Sequence, residues 1–107
     1  MKVERIRFDG FDWDIGNFIK ATKHGVSVEE IESAFSERIL YFEDVRHSQV
    51  EKRFIAVGET PKQRTLFIAF TLRNRDREIL IRVISARFTH RKEQRIYEEI
   101  KKNLLKK

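Results

Sequence analysis

Along the chain the apolar residues change their period several times, and each change marks an element. Val3 to Phe8 places Ile6 and Phe8 two apart between charged neighbours, which reads as a short strand. From Ile15 the spacing lengthens. Ile15, Phe18, Ile19 and Thr22 fall on one side of a helix that Asp14 can cap and Gly25 stops. A second helix carries a local start signal: Ser27 with Glu30 three residues on is a capping box, and Val26 and Ile31 occupy the two positions of a hydrophobic staple. Val28, Ile31, Ala34 and Phe35 form its buried stripe. The two helices make a hairpin across His24-Gly25.

Period two then returns. Arg38 to Glu43 and Arg53 to Val57 read as strands, and Thr65 to Leu72 and Glu78 to Ala86 are the strongest, rich in β-branched and aromatic residues. Leu66, Ile68, Phe70 and Leu72 share one face of the former. In the latter, strict alternation puts Ile79, Ile81, Val83, Ser85 and Arg87 on one face and Leu80, Arg82, Ile84 and Ala86 on the other. Arg73 to Arg77 makes the turn of an antiparallel hairpin. Thr89 is the expected N-cap of a last helix with Ile96, Tyr97, Ile100 and Leu104 along one side, and four Lys from position 101 onward suit the negative end of its dipole. The order β-α-α-β-β-β-β-α with an antiparallel sheet is an α+β fold.

Composition sharpens this picture. The 107 residues predict one domain over 1–107. A hydrophobic fraction of 40% with nine Phe argues for a packed core despite 37% charged residues. The absence of Cys excludes disulfides, thiolate chemistry and Cys-based zinc sites, and with three His a buried metal cluster is not expected. No metal motif, phosphate-cradling Gly-rich loop or nucleophile triad occurs, so no cofactor is implied. No apolar run approaches the roughly 18 residues of a membrane span, and the start lacks a signal-peptide core, so the expectation is a soluble cytoplasmic protein with no membrane partner. The net charge of +6 is uneven: residues 1–60 carry −3 and residues 61–107 carry +9. Such a skew points to a polyanion, nucleic acid first.

The candidate chemistry gathers in the basic half. Arg82 interrupts an apolar strand; it either faces solvent and a carboxylate or projects into a phosphate-binding cleft with Arg87. The two arginines are five apart, so only a twist, a bulge or the strand's end lets both reach one site. His90 and Arg91 stand at the entry of the last helix, where free N–H groups attract anions and cations are mildly unfavourable, a conflict that a bound phosphate resolves. Glu93 and Tyr97, four apart, are a candidate base and phenol; alternatively Glu93 pairs with Arg and Tyr97 packs at the core edge. His24 is the best-placed general base outside this half, or else a cap for the first helix. Trp13 reads as a core anchor before a base-stacking residue. His47, in the loop Asp44-Val45-Arg46-His47-Ser48, has no assigned role.

At these residues the chain resembles a known group. Phe11-Asp12-Trp13-Asp14, Asn17, Lys23-His24-Gly25-Val26-Ser27 and Glu29-Glu30 are similar to the N-terminal signature of BrnT-type toxins. Arg53-Phe54-Ile55-Ala56-Val57-Gly58 matches a second motif, and Ile81-Arg82-Val83-Ile84-Ser85-Ala86-Arg87 with Thr89, Arg91, Lys92, Glu93 and Tyr97 a third. The resemblance implies a RelE-like α+β fold, an antiparallel sheet with two N-terminal helices and one C-terminal helix packed on it. It implies a type II toxin that cleaves RNA without a metal, by attack of the 2′-OH on the adjacent phosphate. Its implied partners are RNA, a cognate ribbon-helix-helix antitoxin and, through that antitoxin, operator DNA. Carried over by position, the cationic strand-end residues fall on Arg82 and Arg87, the first-helix signature on Lys23 and His24, and the acidic and aromatic positions of the last helix on Glu93 and Tyr97. One departure stands out: many members have a Lys in the first helix where Asn17 is nearest here, and Lys20 or Lys23 would have to substitute.

The expected machinery is therefore Arg82, Arg87, Glu93, His24 and Tyr97 for catalysis, with Lys23, His90 and Arg91 binding nucleic acid. The alternative is a module of the same family that binds nucleic acid or a protein partner without cutting.

Overall fold

The computed structural model describes residues 2–4, 6–36 and 39–105, with the side chains of 6–35 and 39–103. Six strands form one sheet in the order β1-β3-β4-β5-β6-β2. They are β1 (Lys2–Glu4), β2 (Gly10–Phe11), β3 (Ile39–Glu43), β4 (Phe54–Glu59), β5 (Thr65–Arg75) and β6 (Glu78–Phe88); the helices are α1 (Ile15–Thr22), α2 (Val28–Ser36) and α3 (Arg91–Leu105). The architecture is α+β with two N-terminal helices and one C-terminal helix, as expected. The sheet is antiparallel except at one edge, where β2 runs parallel to β6 with Gly10 opposite Leu80 and Phe11 opposite Ile81. The expected first strand, Val3 to Phe8, is thus split. Its start pairs with β3, and the chain then crosses to the far edge of the sheet.

Local signals set the helix starts. The side chain of Asp14 accepts from the Asn17 N–H at 3.0 Å, and Asn17 Oδ1 accepts from the Asp14 N–H at 2.7 Å. Ser27 and Glu30 exchange the reciprocal capping bonds that the spacing predicts, at 3.1 Å each. Gly25 sits at φ +85°, a left-handed conformation that suits glycine after a helix end. The β5–β6 hairpin turns on two residues, Asp76 and Arg77, both at positive φ, so the strands run further than their apolar runs indicate. Thr89 does not cap α3. Its N–H extends the sheet by bonding the Thr65 carbonyl at 2.9 Å, and His90 is the capping residue instead.

α2 covers one face of the sheet. Ile31, Ala34 and Phe35 pack on Ile39, Ala56, Leu66, Ile68, Phe70, Ile81, Val83 and Ala86, all nearly inaccessible. Edge-to-face rings run from Phe8 and Phe11 through Phe35 to Phe70, with centroids 5.2–6.2 Å apart. Gly58 lets α2 approach closely: a Cβ there would lie 3.1 Å from the Ala34 carbonyl oxygen. α3 lies on the opposite face, where Tyr97 and Ile100 pack on Leu40, Val57 and Phe67. The Leu104 side chain and the last two lysines lie outside the described residues, as does Arg38 at the expected start of β3. No helix among the described residues is long and apolar enough to cross a membrane.

α1 corrects the pattern reading. Its anchoring side is Asn17 and Ala21, both buried, while Ile15, Phe18 and Ile19 are exposed at 80%, 48% and 58%. The helix docks beside the β6 edge through Asn17, whose amide donates to the carbonyls of Asp12 at 2.9 Å and Val83 at 3.1 Å. Trp13 packs against the core and donates its indole N–H to Glu32 at 3.0 Å, an anchor between the first turn and α2.

Candidate functional site

β6 contains one residue too many for regular pairing. Ala69 opposes Ser85 and Phe70 opposes Val83, so Ile84 has no counterpart on β5. This bulge changes the phase of the strand. Before it, Arg82 lies opposite Thr71; after it, Arg87 lies opposite Phe67. Thr71, Ala69 and Phe67 share the face of β5 away from α2, so Arg82, Ser85 and Arg87 all open onto that outer face. Ile81, Val83 and Ala86 face the core. The strict two-residue alternation read from the sequence fails at this point, and the failure brings both arginines to one surface.

α3 covers only part of the outer face. Among the described residues, two clefts open on that face, the smaller of them at the entry of α3. The smaller, about 310 Å³, is lined by His24, Ile55, Phe67, Ala69, Ser85, Arg87 and Glu93 among others. Arg87 binds Glu93 through two parallel bonds of 2.9 Å, and its guanidinium lies 4.7 Å from the Phe67 ring centroid. Glu93 also accepts the His90 backbone N–H at 2.8 Å. The Arg87 guanidinium, with that N–H, holds the Glu93 carboxyl at about 2, far below the usual carboxylate range. The same pair raises the affinity of Arg87 for its proton. The Arg87–Glu93 pair is therefore ionised at neutral pH, with the edge of the cleft beside it open.

His24 is exposed at the end of α1 and forms no hydrogen bond or ion pair with any described residue. The bond from the Gly25 N–H to the Thr22 carbonyl closes the helix, so the imidazole is not its cap. Lys23, His90 and Arg91 are likewise exposed, Lys23 beside His24 and the other two at the entry of α3.

Arg82 lines the second, larger cleft, about 630 Å³. Its guanidinium bridges Asp14 at 2.9 Å and Asp12 at 3.5 Å, and Arg75 also reaches Asp12 at 3.5 Å. The Asn17 N–H, then the Arg82 guanidinium, lower the Asp14 carboxyl. Arg82 and Arg87 share a face but not a cleft. Four residues lie between them along the strand, a span of at most about 16 Å.

Tyr97 is not brought to either cleft. It is 5% exposed among Leu40, Val57, Phe67 and Ile100. Burial, with Glu59 beside it, pushes the phenol up to about 12. Asn17 lines the larger cleft, but all its polar atoms are committed to the α1 entry and to β6. Sequence reasoning missed Arg46, Arg53 and Arg73, which border the larger cleft. For Arg53 a signal existed: it is in phase with Ile55 and Val57 on β4.

Residues 13–93 match the family model described as the ribonuclease toxin BrnT of type II toxin–antitoxin systems. No curated protein matches the chain significantly. The matched stretch contains His24, Arg82, Arg87 and Glu93 and leaves Tyr97 outside it. With most of its length matched, the chain belongs to the BrnT family of ribonuclease toxins of type II toxin–antitoxin systems.

Proposed function

We propose that RNA is cut in the smaller cleft, with His24, Arg87 and Glu93 as its working groups. The observation that carries this reading is that an imidazole with no partner among the described residues and an oriented guanidinium line one open hollow. His24 takes the proton of a ribose 2′-OH. The 2′-oxygen attacks the adjacent phosphorus, the bond from phosphorus to the 5′-oxygen breaks, and the products are a 2′,3′-cyclic phosphate and a 5′-hydroxyl. Arg87 faces the non-bridging phosphate oxygens and offsets the negative charge that builds there. Glu93 stays ionised and fixes the plane of the guanidinium, so it acts as a positioning residue. The leaving oxygen takes its proton at the rim beside α3, where His90 is exposed. The ribose supplies the nucleophile, and the reaction runs without a metal.

The test is cleavage of a defined RNA by wild type and Arg87→Ala, repeated in EDTA. We expect a loss in kcat of about a hundred-fold or more for the variant, typical of removing one donor to a developing oxyanion, and full wild-type activity in EDTA. Undiminished cleavage by Arg87→Ala overturns the role of Arg87; loss of wild-type activity in EDTA overturns the metal-free route. Binding of RNA with no decay by wild type favours the non-catalytic reading, for which the carboxylate pairing of both arginines speaks.

Within the same reading, the toxin works in the cytoplasm and a ribbon-helix-helix antitoxin neutralises it and carries the pair to operator DNA. Co-expression with the neighbouring small reading frame is expected to relieve growth arrest; unrelieved arrest counts against that partner.

A further inference from the structure

The larger cleft has a charge pattern of its own. Arg82 and Arg73 hold carboxylates, Asp14 and Asp12 for the former and Glu51 for the latter at 3.3 Å. Lys20, Arg46 and Arg53 are different. They come from α1, from the short 3-10 helix Val45–His47 and from the lead into β4, and they line one hollow. All three are exposed, and none forms an ion pair with a described residue. Three like charges around one concavity repel each other, and a concave surface focuses their field. An anion entering the hollow relieves that repulsion.

The hollow also adjoins the smaller cleft along β6. Val83 and Ile84 line the larger one, and Ser85 and Ala86 line the smaller. The boundary falls at the bulge. A ligand that occupies both must be elongated and carry repeated negative charge.

We propose that Lys20, Arg46 and Arg53 form a phosphate-binding subsite for the stretch of a single RNA strand that flanks the cut, so that the substrate is a strand several nucleotides long. The identity of the anion rests on the cleavage reading; the subsite itself rests on three cations without an ion pair to a described residue, in a hollow that adjoins the cleft of Arg87. A single strand is the form required, because attack by the 2′-oxygen needs the leaving oxygen in line behind the phosphorus, a geometry that regular duplex stacking withholds.

Two measurements test this. The first is fluorescence anisotropy with a 2′-deoxy strand of about ten nucleotides, within the usual site size for single-strand binding, which cannot be cut by this route. The triple variant Lys20→Ala, Arg46→Ala, Arg53→Ala is expected to bind about ten-fold or more weakly. The slope of log affinity against log salt is expected to fall by about two, at roughly 0.7 per lost phosphate contact. The second is cleavage of the matching ribonucleotide strand and of a dinucleotide. The strand is expected to lose at least about ten-fold more in kcat/KM than the dinucleotide, through KM. The three side chains are exposed, and Arg46→Ala and Arg53→Ala alone, each with its melting temperature, guard against an unfolded triple variant. Unchanged affinity and salt slope overturn the subsite, and so do equal losses on the two substrates. Weakened binding with no cleavage by any form, wild type included, upholds the subsite and overturns the cleavage reading. Intact oligonucleotide binding with loss of a co-expressed antitoxin overturns the subsite in favour of a protein contact.

Discussion

Glu93 carries two loads at once. One of its oxygens accepts from the His90 backbone at the entry of α3, and the pair of them grips Arg87. Its carboxyl titrates at about 2 in the folded chain against 4.5 for a free side chain. A depressed folded value means that the contact stabilises fully above about pH 4.5, and that this stabilisation drains away as pH falls toward 2. Acid titration of the melting temperature checks this: Glu93→Gln is expected to flatten the fall of wild-type stability across that window. Asn17 is a second residue with more than one bond to lose. Asn17→Ala leaves the Asp14 N–H and the Val83 carbonyl without partners, and destabilisation of about 1–3 kcal/mol is expected in denaturant unfolding. Tyr97 gives the opposite expectation. Its phenol lies on the α3 side of the core beside Glu59, so Tyr97→Phe should leave the cleavage rate unaltered; a large fall in kcat would restore the phenol to the chemistry.

At the scale of elements, α2 and α1 show what was legible and what was not. The start of α2 was readable because a capping box is closed within four residues, and Ser27 and Glu30 need nothing from the rest of the chain. Ile31, Ala34 and Phe35 of the expected α2 stripe are buried as their spacing indicates, whereas Val28 is only half-buried. α1 misled because Ile15, Phe18 and Ile19 have helical spacing, yet its docking is decided by a hydrogen bond from Asn17 to a strand sixty-six residues on. No local pattern records such a bond. The contrast is measurable. Phe18→Ser and Ile19→Ser are expected to change stability by no more than about 0.5 kcal/mol each, as for exposed positions. Ile31→Ala in α2 is expected to cost about 2–5 kcal/mol. Equal losses at the three positions would mean that α1 buries its apolar side after all. The strand pair β5–β6 was also readable, as was the shared face of Leu66, Ile68, Phe70 and Leu72. The phase of β6 was not, because nothing in Val83-Ile84-Ser85-Ala86 marks Ile84 as the extra residue.

For the molecule as a whole, three layers divide the labour. One face of the sheet is spent on the core with α2, and the other is only half covered by α3. The charge skew toward the second half of the chain pointed to a polyanion, but it understated the first half. Lys20, Arg46 and Arg53 belong to the acidic portion by sequence, and folding sets them beside the basic one. Net charge by segment is blind to that, since it counts side chains without regard to where they converge. The bulge at Ile84 has a consequence for how such a chain tolerates change over time. Losing that one residue would leave a regular ladder, with Ser85 still opposite Ala69, Ala86 opposite Ile68 and Arg87 opposite Phe67. Adding one more residue with no second bulge would instead aim Arg87 at packed rings, and Ala86 at water. The bulge is thus slack in the strand: a one-residue deletion draws it tight and spares the outward guanidinium, while a one-residue insertion has nowhere to go except through the strand's inside-outside order.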